Sequence, residues 1–180
     1  MATTATTVTT AYTARPIPPT ALAELRRVDD AGRPCVPYDV TEDEGVGSPL
    51  RCCLRRAEAG ERIALVSYAP LRRWAAGAGV EPGAYDEQGP VFVHAEECGG
   101  PVAGPDAYPF GRAGVLRTVR RYDARGRIAG GRLLEVPEAA GAAFERAFDE
   151  AFADPEVAFV HVRAVEYGCY LFEVRRDDRP

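Results

Sequence analysis

The sequence predicts an α+β fold with a central, mainly antiparallel sheet and one long amphipathic helix packed on it. Three observations support this prediction: strand-like runs are numerous, helix-like segments are few, and turn residues join neighbouring strands into hairpins. In the C-terminal half the predicted order is strand, strand, helix, strand, strand. This order differs from that of a doubly wound fold, in which strands and helices alternate.

Six runs rich in β-branched and aromatic residues are predicted to be strands. In chain order they are Arg62–Tyr68, Pro90–Ala95, Gly114–Asp123, Arg127–Val136, Val157–Val165 and Cys169–Arg175. Asp123–Gly126 is predicted to be a tight turn, because Asp can bond its own backbone and Gly can take a positive φ. The third and fourth runs therefore form a predicted hairpin.

One segment, Glu138–Ala153, has the apolar stripe of an amphipathic helix. Phe144, Phe148 and Phe152 recur every four residues, so they share one helix face, and charged residues occupy the rest. Pro137 suits the first position of this helix. We expect the phenylalanine face to pack on the sheet.

The N-terminal half carries weaker signals. Ala21–Val28 is predicted to be a short helix with Thr20 as its N-cap. Asp29–Ser48 is rich in turn residues and is predicted to be a loop. Leu71–Gly89 contains Trp74 and several glycines, and we expect a surface loop with one helical turn.

Length and composition are those of one globular domain. Because the net charge is −5, non-specific nucleic-acid binding is not expected. No apolar run approaches the ~20 residues that cross a bilayer, so no membrane span is expected. All 22 basic residues are arginine, which excludes Schiff-base chemistry by lysine. We expect residues 15–176 to form the domain, with tails at 1–14 and 177–180.

Residues 1–14 lack the basic region and the long apolar region of a secretory signal. We therefore expect a cytoplasmic location, where thiols stay reduced. The five cysteines are then free thiols or metal ligands instead of a disulfide framework.

His94 and Cys98 are the candidate metal ligands. Neutral imidazole and thiolate bind zinc or another transition metal such as iron well. In an extended strand residues four apart are about 13 Å apart, so the chain must turn at residues 95–97 for both to share an ion. The third ligand would be His161 or Cys53. The alternative is that each histidine is an ordinary, partly buried ring.

Cys53 and His161 are the candidate catalytic residues. Cys52 and Cys53 stand among three arginines, and nearby positive charge favours the thiolate. Adjacent residues on a strand point to opposite faces, so only one cysteine would enter a given pocket, and we favour Cys53. His161 would serve as ligand or as acid/base. The alternative is that both cysteines are small buried hydrophobic residues.

Arg117 and Arg121 share one face of a predicted strand and are the candidate ligand-binding arginines. Guanidinium groups that converge on an open sheet face can bind a carboxylate or phosphate. The alternative is a solvated face, since arginines occur on both faces of this strand.

These residues predict a small-molecule enzyme or accessory protein with a Cys/His site that binds a transition metal such as zinc. The rival class is a non-catalytic module that binds a small anion or a partner chain. The sequence leaves the choice between enzyme and binding module open, and it leaves the oligomeric state open.

Five segments stand in a characteristic order: Arg51–Glu61, Leu65–Tyr68, Gly89–Cys98, Arg121–Ile128 and Val160–Tyr170. From about Pro49 to Arg175 they resemble a bacterial family of unknown function, DUF1203. The family name supplies no activity. The resemblance therefore implies a shared fold and supports the list of candidate residues, and it implies no reaction.

Overall fold

The computed structural model describes residues 11–101 and 108–176. The predicted tail at 177–180 and most of the one at 1–14 lie outside the described residues, and the predicted domain limits stay predictions. Within the described part of the chain, no helix is long and apolar enough to cross a membrane.

The described residues form three α-helices and seven strands, besides a short 3₁₀ helix at Gly83–Tyr85. In chain order these are α1 (Pro19–Leu25), β1 (Tyr38–Asp39), β2 (Arg62–Tyr68), α2 (Pro70–Ala78), β3 (Gly89–His94), β4 (Leu116–Asp123), β5 (Ile128–Glu135), α3 (Ala140–Ala153), β6 (Val157–Ala164) and β7 (Tyr170–Arg175). The α+β class and the antiparallel pairing are confirmed. The single central sheet is wrong, because the strands form two antiparallel sheets, ordered β1-β2-β3 and β5-β4-β6-β7.

The second sheet, β5-β4-β6-β7, carries the larger aromatic core. Phe144, Phe148 and Phe152 of α3 are buried against it, together with Val160 and Val162 of β6. The helix begins at Ala140, three residues after Pro137, so the predicted helix start is wrong. The β4–β5 turn is as predicted: Gly126 has a φ of +75°, and its N–H donates to the Asp123 carbonyl at 3.0 Å.

The segment before α1 also packs on α3. Tyr12 is buried, its ring lies 5.5 Å from that of Phe152, and its hydroxyl donates to Asp149 at 2.8 Å. This tyrosine lies inside the predicted tail, at a position where the sequence has no apolar periodicity.

Helix α2, Pro70–Ala78, replaces the first part of the predicted surface loop Leu71–Gly89. Pro70 occupies the first helical turn, and Gly79 ends the helix in the left-handed region at φ +68°. Leu71 is fully buried, and Trp74 lies 4.3 Å from Phe159 of β6. The glycines that suggested a loop therefore include a helix C-terminal cap.

The first sheet, β1-β2-β3, has a smaller core that contains sulfur. Ile63 and Val66 of β2 and Val93 of β3 are buried with Leu25 of α1 and Leu50 of the preceding loop. Two cysteines, Cys52 and Cys53, belong to the same core. The first sheet thus gathers thiols where the second gathers aromatic rings.

Candidate metal centre

Four side chains with metal-binding atoms meet beside the first sheet. They are Cys52, Cys53, His94 and Cys98, and one ligand atom from each lies within 4.8 Å of all the others. The first three are buried and Cys98 is half-buried. This Cys3His set can hold a metal ion.

The two adjacent cysteines lie in a tight turn of the segment Pro49–Arg56. The Leu54 amide donates to the Leu50 carbonyl at 2.9 Å, and the Leu50 amide donates to the Arg55 carbonyl at 2.8 Å. Leu54 takes a φ of +58°, in the left-handed region. We call this segment the cysteine turn.

The turn corrects the expectation that Cys52 and Cys53 point to opposite faces. That expectation assumed a strand, in which side chains alternate, whereas in the turn both sulfurs approach the same imidazole. Cys52 Sγ lies 3.3 Å and Cys53 Sγ 3.7 Å from Nδ1 of His94. Cys52, which the sequence analysis set aside, is therefore a member of the site.

His94 is the last residue of β3, and the chain bends at residues 95–96 just after it. This bend returns Cys98 to the imidazole, as the spacing of the pair required. Arg26, at the end of α1, fixes the bend: its guanidinium donates to the His94 carbonyl at 3.1 Å and to the Glu96 carbonyl at 2.7 Å. Helix α1 thus helps to position two of the four ligands.

The separations fit tetrahedral zinc. Bonds of about 2.3 Å to sulfur and 2.0 Å to nitrogen place two sulfurs about 3.8 Å apart and a sulfur and a nitrogen about 3.5 Å apart. The Cys52–Cys53 sulfur separation is 3.9 Å, and the two sulfur–Nδ1 distances are 3.3 and 3.7 Å. These three side chains would therefore need only small shifts to share an ion, and the ligand atom of Cys98 lies within 4.8 Å of each of them.

Glu61 and Arg55 meet the other nitrogen of the His94 ring. Nε2 lies 3.3 Å from Oε1 of Glu61 and 3.3 Å from the Arg55 guanidinium, and Arg55 and Glu61 form an ion pair. The hydrogen bond from Arg55 lowers the pKa of Glu61 to about 2. Arginine only donates and a carboxylate only accepts, so in the tautomer that carries hydrogen on Nε2 the partner is Glu61, and the Nδ1 lone pair is then left for a metal.

The surroundings of the sulfurs favour negative charge on one of them. A hydrogen bond from the Cys52 thiol lowers the pKa of Cys53 to about 6, and the same pairing raises the pKa of Cys52. The backbone N–H of His94 donates to Cys52 Sγ at 3.2 Å, and the backbone N–H of Arg55 bonds Cys53. Backbone donors of this kind stabilise thiolates.

His161 does not join the site. It lies on β6 of the second sheet, fully buried, with Nε2 3.2 Å from Oε2 of Glu173 and its ring 4.8 Å from that of Tyr122. Burial lowers the pKa of His161 and outweighs the nearby Glu173 carboxylate. That His161 and Cys53 act together stays a prediction, and this geometry does not favour it.

The two candidate arginines, Arg117 and Arg121, have different surroundings. Arg117 is buried, and its guanidinium donates to the Phe110 carbonyl at 2.9 Å and to the Leu116 carbonyl at 2.6 Å. Arg121 lies over Gly130 in the neighbouring strand, so close that a Cβ there would clash with the guanidinium. Arg117 lines a cavity between the two sheets, and Arg121 is not among the residues that line that cavity.

Cys52 is the residue that sequence reasoning missed. The signal that could have found it is the sequence Gly47-Ser48-Pro49 just before the pair, which is more typical of a turn than of a strand. Cys35 and Cys169 lie outside the cluster, and both are half-buried free thiols.

Comparison with protein families gives one match, over residues 47–176, to the model described as "Protein of unknown function (DUF1203)". The matched span includes all four ligand residues and most of both sheets. Searches of curated proteins and of solved structures returned no match. Since the family model covers well over half of the chain, this protein belongs to the DUF1203 family.

Proposed function

We propose that this protein is a zinc-dependent accessory protein in which Cys52, Cys53, Cys98 and Nδ1 of His94 hold one Zn²⁺. The observation that carries the proposal is the convergence of four ligand atoms within 4.8 Å of one another. Three sulfurs and one imidazole nitrogen are a ligand set of structural zinc sites.

The charges around the cluster support the proposal. Three thiolates with Zn²⁺ leave one net negative charge, and the Arg55 guanidinium lies 3.3 Å from the ligating imidazole. Glu61 accepts from Nε2–H and so orients the ring, in the manner of the carboxylate–histidine pairs that support bound zinc. The residues beyond the ligands therefore suit a thiolate-bound cation.

A zinc ion with four protein ligands is better suited to a structural role than to catalysis by a metal-bound water. Catalytic zinc keeps one position for water or substrate, whereas four protein ligands fill a tetrahedral sphere. Here the ion would join the cysteine turn to the end of β3 and so close the small core of the first sheet. We therefore propose a supporting role for the metal, with small-molecule binding elsewhere in the fold.

The test is metal analysis of protein purified without a histidine tag, followed by cobalt substitution. We expect one equivalent of zinc, and intense visible absorption from tetrahedral thiolate-bound Co²⁺ in the exchanged protein. Cys98→Ser and His94→Ala should lower the metal content and the cobalt absorption. Cys169→Ser and Cys35→Ser are matched controls that should leave both unchanged.

The contrary result is protein that stays folded with no bound metal after reconstitution with zinc. Rapid alkylation of Cys53 in the same protein would assign the cluster to thiol chemistry instead. Equal metal loss in Cys169→Ser and Cys98→Ser would also overturn the proposed ligand set.

A further inference from the structure

A cavity of about 570 Å³ lies between the two sheets, apart from the metal centre. Its walls come from the cysteine turn, from β2 and β3 of the first sheet, and from β4, the end of β6 and the start of β7 of the second. Cavities of ~300–1,000 Å³ are the usual size for small-molecule sites. None of the four metal ligands lines this cavity.

Two of the lining arginines are buried. Arg51 is 3% exposed and Arg117 is 4% exposed. Arg51 donates to two backbone carbonyls, those of Pro49 and Tyr170, the latter at 2.8 Å, and no carboxylate among the described residues pairs with it. A buried charge that has only neutral partners is costly unless an anion completes the site.

The cavity has an excess of positive charge. Arg51, Arg56 and Arg117 line it, against one acidic residue, Glu166, whose carboxylate lies 3.4 Å from Arg117. Arg56 is exposed, and its guanidinium donates to the Gly47 carbonyl at 2.6 Å. No carboxylate in the described part of the chain pairs with this guanidinium, so its other N–H groups can meet a ligand.

The rest of the wall is mainly apolar and partly open to solvent. Leu65 of β2 and Phe92 of β3 pair across the first sheet and line the cavity, facing Leu171 of β7. Leu65 is 51% exposed, and Tyr167 at the rim is 86% exposed. Exposed apolar side chains around a concave, charged site are typical of ligand-binding surfaces.

We propose that this cavity binds a small organic carboxylate with an apolar body, its carboxylate on the arginines and its body along Leu65, Phe92 and Leu171. Guanidinium groups suit planar oxyanions, to which they donate two parallel hydrogen bonds. The apolar wall selects an amphipathic acid over a bare inorganic anion.

The electrostatics of buried Arg117 agree with this assignment. Burial together with nearby Arg56 and Arg112 lowers the pKa of Arg117 despite the opposing effect of Glu166. This cation is thus destabilised in the free protein, and a bound carboxylate would stabilise it.

The experiment is titration calorimetry of the zinc-loaded, full-length protein with decanoate and with decanol. We expect saturable decanoate binding that is about tenfold or more tighter than that of decanol, since charge-assisted hydrogen bonds are lost with the alcohol. Arg56→Gln should weaken decanoate binding severalfold, while Arg125→Gln, the same charge change in the β4–β5 turn, should not. Leu65→Gln should weaken both ligands, and its matched control Leu133→Gln on β5 neither.

Cys169 supplies a second readout that needs no variant. It lines the cavity, whereas Cys35 lies elsewhere in the first-sheet core, so decanoate should slow iodoacetamide labelling of Cys169 and leave Cys35 unaffected. Equal affinity for decanoate and decanol, or equal effects of Arg56→Gln and Arg125→Gln, would overturn the proposal. So would saturating decanoate that leaves Cys169 labelling unchanged.

Discussion

The two sheets of this protein are stabilised by different means. The second sheet packs four strands against a helix of 14 residues that supplies three phenylalanines. The first sheet has three strands, one of only two residues. Cysteine sulfurs belong to its core, and the His94 imidazole lies beside them. A small sheet with little aromatic burial therefore gains most from a cross-link, which a metal ion would supply.

The two histidines follow the same division. His94 ends a strand, beside three thiols and a carboxylate, where its ring can bind an ion. His161 sits within a strand, among Tyr122, Phe159 and Tyr170, where its ring fills space and bonds Glu173. The same side chain thus has a ligand's environment in one sheet and a core residue's in the other.

Metal removal should give the largest difference between the two sheets. We expect a tight zinc chelator to lower the free energy of unfolding by more than about 5 kcal/mol, since bound metal stabilises the folded state by mass action. Hydrogen exchange should accelerate in β2 and β3 and stay slow in β4 and β6. Uniform acceleration in all four strands would show that the ion does not act locally.

Phe148→Ala should destabilise the second sheet by about 3–5 kcal/mol, because a fully buried ring is replaced by a cavity. Urea unfolding of the zinc-loaded protein measures the loss. Leu133→Ala, at an exposed position of β5, is the control and should change stability little. Metal content should be unchanged in folded Phe148→Ala, so zinc loss at that stage would contradict the independence of the two cores.

Glu61→Gln should weaken zinc binding by about 10- to 100-fold, because the carboxylate that orients His94 is neutralised. Competition with a chromophoric chelator gives the affinity. Glu58→Gln, an exposed acidic neighbour in the same segment, should leave the affinity within about twofold of wild type. Equal effects of the two variants would assign Glu61 a general electrostatic role only.

His161→Gln should flatten the acid dependence of stability. Burial holds the pKa of His161 below its usual 6.5, so the unfolded chain binds the extra proton, and stability present above pH 6.5 is lost as the pH falls below that value. Between pH 6.5 and 5, the slope of the unfolding free energy against pH should be smaller in the variant, by up to about 1.4 kcal/mol per pH unit. Urea unfolding across this range, with zinc saturating, measures it, and an unchanged slope would mean that the imidazole is protonated in the folded state.

Much of the fold follows from local pattern. The β-branched content of Arg62–Tyr68 and its Gly60 and Pro70 boundaries give β2 to the residue, and the spacing of Phe144, Phe148 and Phe152 gives the buried face of α3. The division into two sheets could not be predicted, because it depends on which strands pair. Each strand pattern is satisfied equally by one sheet or by two.

The candidate site was predicted in part. His94, Cys98 and Cys53 meet as the metal hypothesis required, because the chain bends after β3. Side-chain alternation in a strand favours Cys53 over Cys52, whereas the turn with left-handed Leu54 makes both sulfurs available. From sequence alone, His161 is as plausible a metal ligand as His94. Its distance from the thiols depends on tertiary structure, which the local sequence does not specify.

X-ray absorption at the zinc edge is the direct test of the proposed ligand set, since it counts the atoms bound to the ion. We expect three sulfur neighbours at about 2.3 Å and one nitrogen at about 2.0 Å. We also expect a change to two sulfurs in Cys98→Ser and an unchanged spectrum in Cys169→Ser. A shell of oxygen and nitrogen without sulfur would contradict the proposed Cys3His site.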